Sequence, residues 1–392
     1  GTPNADGTIT WLGAEETITT TASSAENPYV SVDTFGHIWI SYTENTSSPT
    51  GINPFVVKSV YTDGTWTTTS VGFPYQVSTD TGSWNTTVVP LTLGKVLVTY
   101  ADNGQLFARV FNSTDPILEW GVVNVGNQGV SVAVSGGYAY LSGDTSIYCF
   151  DAITGVAVWN YSVGAYIYSI PAISNGFIYF GAWNNNVYSL HADTGVLEWS
   201  YTTGGQIWSS PTISGGFVYI GSNDNKMYCL VETTGVLEWS YTTSDDVQTI
   251  PAVSDGKVYF GSKNHKIYCL NSVTGAWIWE YTTGEYITSN PIVSGANVIV
   301  GSYDGKIYSR DKDTGGFIWT YTVGPYGVRN VIVSGGFVYS TNEYNNRLIC
   351  ITENTGTFVW YNSVFASGYI PTISNGLIYV GTYYNVVDVF NA

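Results

Sequence analysis

Tryptophan recurs through this chain at a fixed interval. Trp159, Trp199, Trp239, Trp279 and Trp319 stand 40 residues apart, Trp360 follows 41 later, and Trp120 precedes Trp159 by 39. A Thr-Gly pair lies shortly upstream of six of them: Thr154-Gly155, Thr194-Gly195, Thr234-Gly235, Thr274-Gly275, Thr314-Gly315 and Thr355-Gly356. A period of this length marks stacked supersecondary units, none of which can bury its faces alone. One unit shows the physics. Thr212 to Ser214 predicts a short strand ended by Gly215-Gly216, and Phe217 to Ile220 a second ended by Gly221. Ser222 to Asn225 reads as a tight turn, because Asn and Asp tolerate left-handed backbone. Lys226 to Leu230 and Val236 to Tyr241 supply the third and fourth strands, with Thr234-Gly235 turning the chain between them. Four hairpin-linked strands make one antiparallel sheet, and a series of such sheets makes a propeller.

Composition agrees with an all-β chain. Charged residues are only 10%, against about 25% in typical domains, while aromatics reach 16% with 32 Tyr and 14 Trp. That mix favours strands and turns over helices. The 392 residues read as a single β-propeller domain. Within it, 28–128 hold two irregular blades, 129–368 six regular repeats, and 369–392 three strands of a last blade. In the first irregular blade the strands are expected at Tyr29 to Asp33, His37 to Tyr42, Phe55 to Tyr61 and Thr65 to Ser70, the last carrying Trp66. The missing strand of the last blade is expected at 1–12. Gly7 stands four residues before Trp11 just as Gly195 stands four before Trp199. The N-terminal strand then closes the ring without a loose edge. This counts nine blades, with structural tryptophans at Trp11, Trp66, Trp120, Trp159, Trp199, Trp239, Trp279, Trp319 and Trp360. Eight blades, with one early unit outside the ring, is the alternative.

Leu190-His191-Ala192-Asp193-Thr194-Gly195-Val196-Leu197-Glu198-Trp199 resembles the tryptophan-docking motif of pyrroloquinoline-quinone-like propellers. Gly216-Phe217-Val218-Tyr219-Ile220-Gly221-Ser222 resembles the family's companion Gly-x-x-Tyr-x-Gly-Ser phrase. The likeness covers residues 129 to 392 well and the first 128 poorly. The family includes quinoprotein alcohol dehydrogenases and a non-enzymatic propeller lipoprotein of bacterial outer-membrane assembly. The resemblance implies a fold in which Trp rings wedge between blades; it does not specify an activity. The dehydrogenases carry adjacent cysteines over the quinone, and this chain has no Cys-Cys pair and no recognisable calcium and base set. The resemblance therefore points to the non-enzymatic branch.

No catalytic residue, cofactor or metal site is expected. Cys149, Cys229, Cys269 and Cys350 occupy one strand register that Ser189 and Ser309 fill elsewhere, so the slot wants a small side chain and the thiols read as buried and free. His37, His191 and His265 share no ligand spacing. No Gly-x-Ser-x-Gly, phosphate-binding loop or His-Glu-x-x-His is present. The positions that vary over the repeat lie in the loops entering each innermost strand, and function concentrates in loops on a rigid scaffold. Ligand-binding residues are expected there: Tyr166, Tyr168, Gln206, Trp208, Asp246, Gln248, Glu285, Thr288, Tyr326 and Arg329. Aromatics beside carboxylates and amides suit sugars, peptides or cationic groups.

A net charge of -17 repels phosphate backbones, which argues against nucleic acid. No run of 18 apolar residues predicts a spanning helix. Glycosylation sequons stand at Asn45, Asn85, Asn112 and Asn160. With scarce Lys they tilt the reading toward an extracellular or cell-surface location. The sequence thus predicts a binding or scaffold propeller for protein or glycan partners. Its alternatives are a funnel-site enzyme (quinoprotein oxidoreductase, or a polysaccharide-acting hydrolase or lyase) and a self-assembling subunit of a surface layer or filament.

Overall fold

The computed structural model describes a nearly continuous block from residue 131 to 363, lacking only 144, 153, 288, 326, 329 and 343–346, together with the strands within 24–121 and 372–391. The described strands form nine antiparallel sheets, eight of four strands and one of three, each with its strands in chain order. No helix among the described residues is long and apolar enough to cross a membrane.

The fifth sheet shows how the sequence dictates the unit. Its strands are Thr212–Ser214, Phe217–Ser222, Lys226–Val231 and Leu237–Thr242. The first hairpin turns on Gly215 and Gly216, with φ of +60° and +83°. Two successive left-handed residues match the twist of the flanking strands. At the second turn the Tyr228 hydroxyl donates to Asp224 at 2.5 Å and Lys226 N–H donates to the same carboxylate at 3.2 Å. The two central strands are buried almost throughout, whereas the fourth is exposed except at the buried Trp239 and the half-buried Tyr241. A bulge falls between Cys229 and Leu230, and Cys229 pairs directly with Trp239. The same Cys or Ser faces the Trp in five other sheets. The small-residue slot therefore exists to give the indole room.

Adjacent sheets are joined by that indole. The ring N–H of Trp199 donates to the Glu232 carbonyl of the next sheet at 2.9 Å, and Trp239 and Trp279 repeat this on Ser272 and Lys312. The core lies between sheets: Tyr219, Met227, Cys229 and Trp239 close on Val258, Phe260, Tyr268 and Leu270 of the next sheet. The short first strands approach one another in succession, Ala172–Ser174 beside Thr212–Ser214 and that beside Ala252–Ser254, which sets them around a common axis. Ser24–Val32 lies beside both Trp84–Pro90 and Thr372–Ser374, so the first sheet neighbours the second and the ninth.

Two sequence expectations change or fall outside this description. Among the described residues Ile52–Lys58 pairs with Tyr75–Gln76, and the strand expected at Thr65 to Ser70 lies outside the described residues. Trp66, Trp11 and the expected closing strand 1–12 lie outside the described residues.

Candidate functional site

The third to sixth sheets are each left from the outermost strand by a loop that runs inward to the first strand of the next. At the same end lies the turn after the second strand. One backbone bond ties loop to turn in four successive repeats: Trp183 N–H to Tyr166 O, Asn223 to Gln206, Lys263 to Asp246 and Tyr303 to Tyr286, all at 2.9–3.0 Å. The bond places two side chains of each repeat next to one another on one face of the propeller. Their identities change from sheet to sheet while the turn framework stays constant.

The first of these pairs builds an aromatic cluster. Tyr168 stacks on Trp183 at 4.9 Å and on Trp208 at 5.1 Å, the latter with ring planes 9° apart. Trp183 and Trp208 meet at 4.8 Å, and Tyr166 stands edge-on to Trp183 at 5.3 Å. The Trp183 ring N–H is buried and finds no acceptor among the described residues. An orphaned donor costs about 1–3 kcal/mol, and such costs persist mostly where function needs the group.

The next two pairs are polar. Gln248 Nε2 donates to Asn223 Oδ1 at 2.9 Å and to Asp246 at 3.4 Å. Lys263 Nζ donates to the same Asp246 carboxylate at 3.1 Å. The fourth pair is aromatic again, Tyr286 stacking on Tyr303 at 4.6 Å. Between Trp208 and Tyr286 lies a pocket of about 280 Å³, whose polar wall is Gln248, Lys263 and Asn290.

The sequence-predicted residues therefore fall into groups. Tyr166, Tyr168 and Trp208 share the aromatic cluster, and Trp208 and Gln248 line the pocket, with Asp246 behind them. Gln206 is exposed on the same loops. Glu285 turns outward toward His265, 3.6 Å away. Thr288, Tyr326 and Arg329 lie outside the described residues. Sequence reasoning missed Trp183, Lys263, Tyr303 and Asn290. A signal for three of them exists: Trp183, Asn223, Lys263 and Tyr303 share one register between constant neighbours. Of the sequons, Asn160 is exposed in the outermost strand Ala157–Ser162; Asn45, Asn85 and Asn112 lie on strands whose side chains are not described.

A quinone bound as in the family's dehydrogenases does not fit this donor set. The four cysteines are buried, free and spread over four sheets, and burial pushes the Cys149, Cys229, Cys269 and Cys350 thiols up to about 12. Among the described residues no three His, Cys, Asp or Glu side chains gather where they would hold a metal ion.

Comparison with known proteins places this geometry. The family model described as outer membrane protein assembly factor BamB matches residues 92–246 and 202–331. No curated protein matches the chain by sequence. The crystal structure of BamB from Moraxella catarrhalis superposes with a TM-score of 0.63 at 18% identity, covering 78% of this chain and 96% of that one. The computationally designed Ika8 protein superposes with a TM-score of 0.65 at 14% identity, over 78% and 95%. At these identities the two structures share a fold with this chain, and nothing finer.

Proposed function

Because the chain belongs to the pyrroloquinoline-quinone-like propeller family described as outer membrane protein assembly factor BamB, we propose that it is a non-enzymatic propeller, extracytoplasmic or on the cell surface, that presents one face to protein or glycan partners. One observation carries this reading. The residues that build the regular sheets recur from repeat to repeat, whereas the loop and turn residues of one face differ, and in four successive repeats they are held in fixed pairs. A rigid frame with variable side chains on one face is how binding surfaces are built. Asn160, exposed on an outermost strand, is the glycosylation site this reading favours.

The test is site-directed photo-crosslinking in intact cells of the source organism, with the photoreactive residue placed at Trp208 or at Val196. Val196 belongs to the opposite end of the sheets. Adducts to a small, repeatable set of envelope components from position 208 alone support the reading. Equal adducts from both positions would show that the variable face is not the binding face. Native mass spectrometry of the same protein provides the second arm: a tightly bound redox cofactor would overturn the non-enzymatic reading.

A second reading, a self-assembling subunit, is favoured by a separate observation. Leu197, Leu237, Trp277, Phe317 and Phe358 start the outermost strands of consecutive sheets at one register, and all are exposed, Phe317 at 72%. A row of this kind marks an interaction surface. Sedimentation that stays monomeric over a hundredfold range of concentration removes this reading.

A further inference from the structure

Resting on the binding-face reading above, the geometry points to a single-sugar subsite: we propose that the pocket between Trp208 and Tyr286 takes one neutral pyranose ring of a glycan partner.

The argument begins with the walls. Trp208 is 39% exposed, yet its ring is fixed by stacking on Tyr168 and by Trp183, whose plane is tilted 35° to it. Tyr286 is backed in the same way by Tyr303. Two flat apolar surfaces are thus held in place before any ligand arrives, so little ordering entropy opposes binding. A pyranose offers such surfaces a patch of C–H groups on its ring face.

The polar wall supplies what the ring's hydroxyls need. Gln248 commits its amide N–H groups to Asn223 and Asp246, which leaves its carbonyl as the acceptor. Asn290 commits its carbonyl to the Ile250 N–H at 2.8 Å, which leaves its amide N–H groups as donors. Lys263 adds a further donor and is neutralised by Asp246. Donor and acceptor on one wall suit hydroxyls, which both give and take a hydrogen bond.

Competing chemistries fit less well. A quaternary or methylated cation could use the same aromatic walls, but it would lie beside the Lys263 ammonium and offer no hydrogen bond to Gln248 or Asn290. An anion would have to compete with Asp246 for Lys263, on a chain of net charge -17. A wholly apolar ligand would bury the Gln248 carbonyl and the Asn290 amide N–H groups without giving them a hydrogen bond. At about 280 Å³ the pocket falls below the roughly 300–1,000 Å³ of drug-sized sites, which limits it to one ring.

Ligand-observed saturation-transfer NMR on the full chain tests the assignment. The probes are the methyl glycosides of glucose, mannose, galactose and N-acetylglucosamine. At least one should show saturation transfer strongest at ring C–H protons. Trp208→Ala and Tyr286→Ala should each weaken that sugar at least tenfold, and Gln248→Leu should do so with the aromatic walls intact. Val196→Ala, exposed at the opposite end of the sheets, should leave it unchanged. Binding that survives all three pocket substitutions would place the sugar elsewhere and overturn the proposal. If no glycoside binds while photo-crosslinking at position 208 still captures an envelope protein, the saccharide assignment fails and the binding-face reading stands. If neither occurs, both fall.

Discussion

A methyl group added at Gly235 would meet the Trp199 indole at 2.6 Å, on a backbone whose φ is +68°. The residue thus answers two demands, a left-handed turn and a flat seat for the neighbouring ring. Gly216 answers only the first: its φ is +83° and a Cβ there meets open space. The pair separates backbone strain from packing. Gly216→Ala should cost about 1 kcal/mol, and Gly235→Ala about 3 kcal/mol or more, since overpacking adds to the strain. Urea unfolding of the two variants reads the difference directly; equal losses would mean the indole seat imposes no constraint. The buried thiols make a second residue-scale prediction. Desolvation raises the Cys229 thiol from an ordinary value of 9.0 to about 12, and Cys149, Cys269 and Cys350 behave alike. Below pH 9 folded and unfolded chains both keep these protons. Above it the unfolded chain releases them first, so the stability they contribute is lost progressively between about pH 9 and 12. A thiol reagent at pH 8 should label none of the four in native protein and all four in urea. Native labelling faster than global unfolding would show that a sheet opens locally.

At the scale of the sheet, repetition makes an exception informative. Leu190, Leu230 and Leu270 occupy one register of the third strand, and Arg310 stands there in the seventh sheet. Its side chain is 1% exposed, with the guanidinium 3.7 Å above the Tyr281 ring and Nη1 donating to the Ser309 and Trp319 carbonyls. Among the described residues Nε meets no acceptor and no ion pair reaches the group. Replacing a buried charge with a well-shaped apolar side chain is often neutral or stabilising by about 1–4 kcal/mol. Arg310→Leu is therefore expected to raise the unfolding midpoint and Arg310→Ala, which leaves a cavity, to lower it. A loss with leucine would show that the cation–π contact outweighs burial of the charge. The regular sheets were legible because each strand obeys local rules: Gly-Gly, Asn-Gly, Asp-Gly or Gly-Ala for the first hairpin, Asn or Asp for the next turn, Thr-Gly before the Trp. The candidate site was half legible for the same reason. Tyr168, Trp208 and Gln248 stand out as variable loop residues, but Trp183 and Lys263 sit beside strong turn signals that mask them. Their partners lie 17 residues upstream and meet them only through the folded sheet. In the first sheet no Thr-Gly cue precedes Tyr75–Gln76, the two-residue strand that pairs with Ile52–Lys58, so that strand was not legible.

At the scale of the molecule, what matters is how the series of sheets ends. The ninth sheet has three described strands, Thr372–Ser374, Leu377–Gly381 and Val387–Asn391, where the regular sheets have four. Val387–Asn391 corresponds to the third strand of the regular sheets, whose pairing edge is taken by the Trp-bearing strand. An uncovered edge of that kind is a template for aggregation. The sequence offers residues 6–12 as its cover, with Trp11 four residues after Gly7 as in the repeats. The first sheet already neighbours the ninth through Ser24–Val32 and Thr372–Ser374, so the segment has a short path to follow. If it closes the ring, Trp11→Ala should cost about 3–5 kcal/mol, the range for deleting a docked aromatic ring, and Trp239→Ala should cost a similar amount. Hydrogen exchange gives the independent reading. Amides of residues 8–11 should be protected to the degree of Leu237–Thr242, and the protection should vanish in the Trp11→Ala variant. Free exchange at 8–11 in the parent chain, with Trp11→Ala as stable as the parent, would leave the ninth sheet closed by something other than this segment.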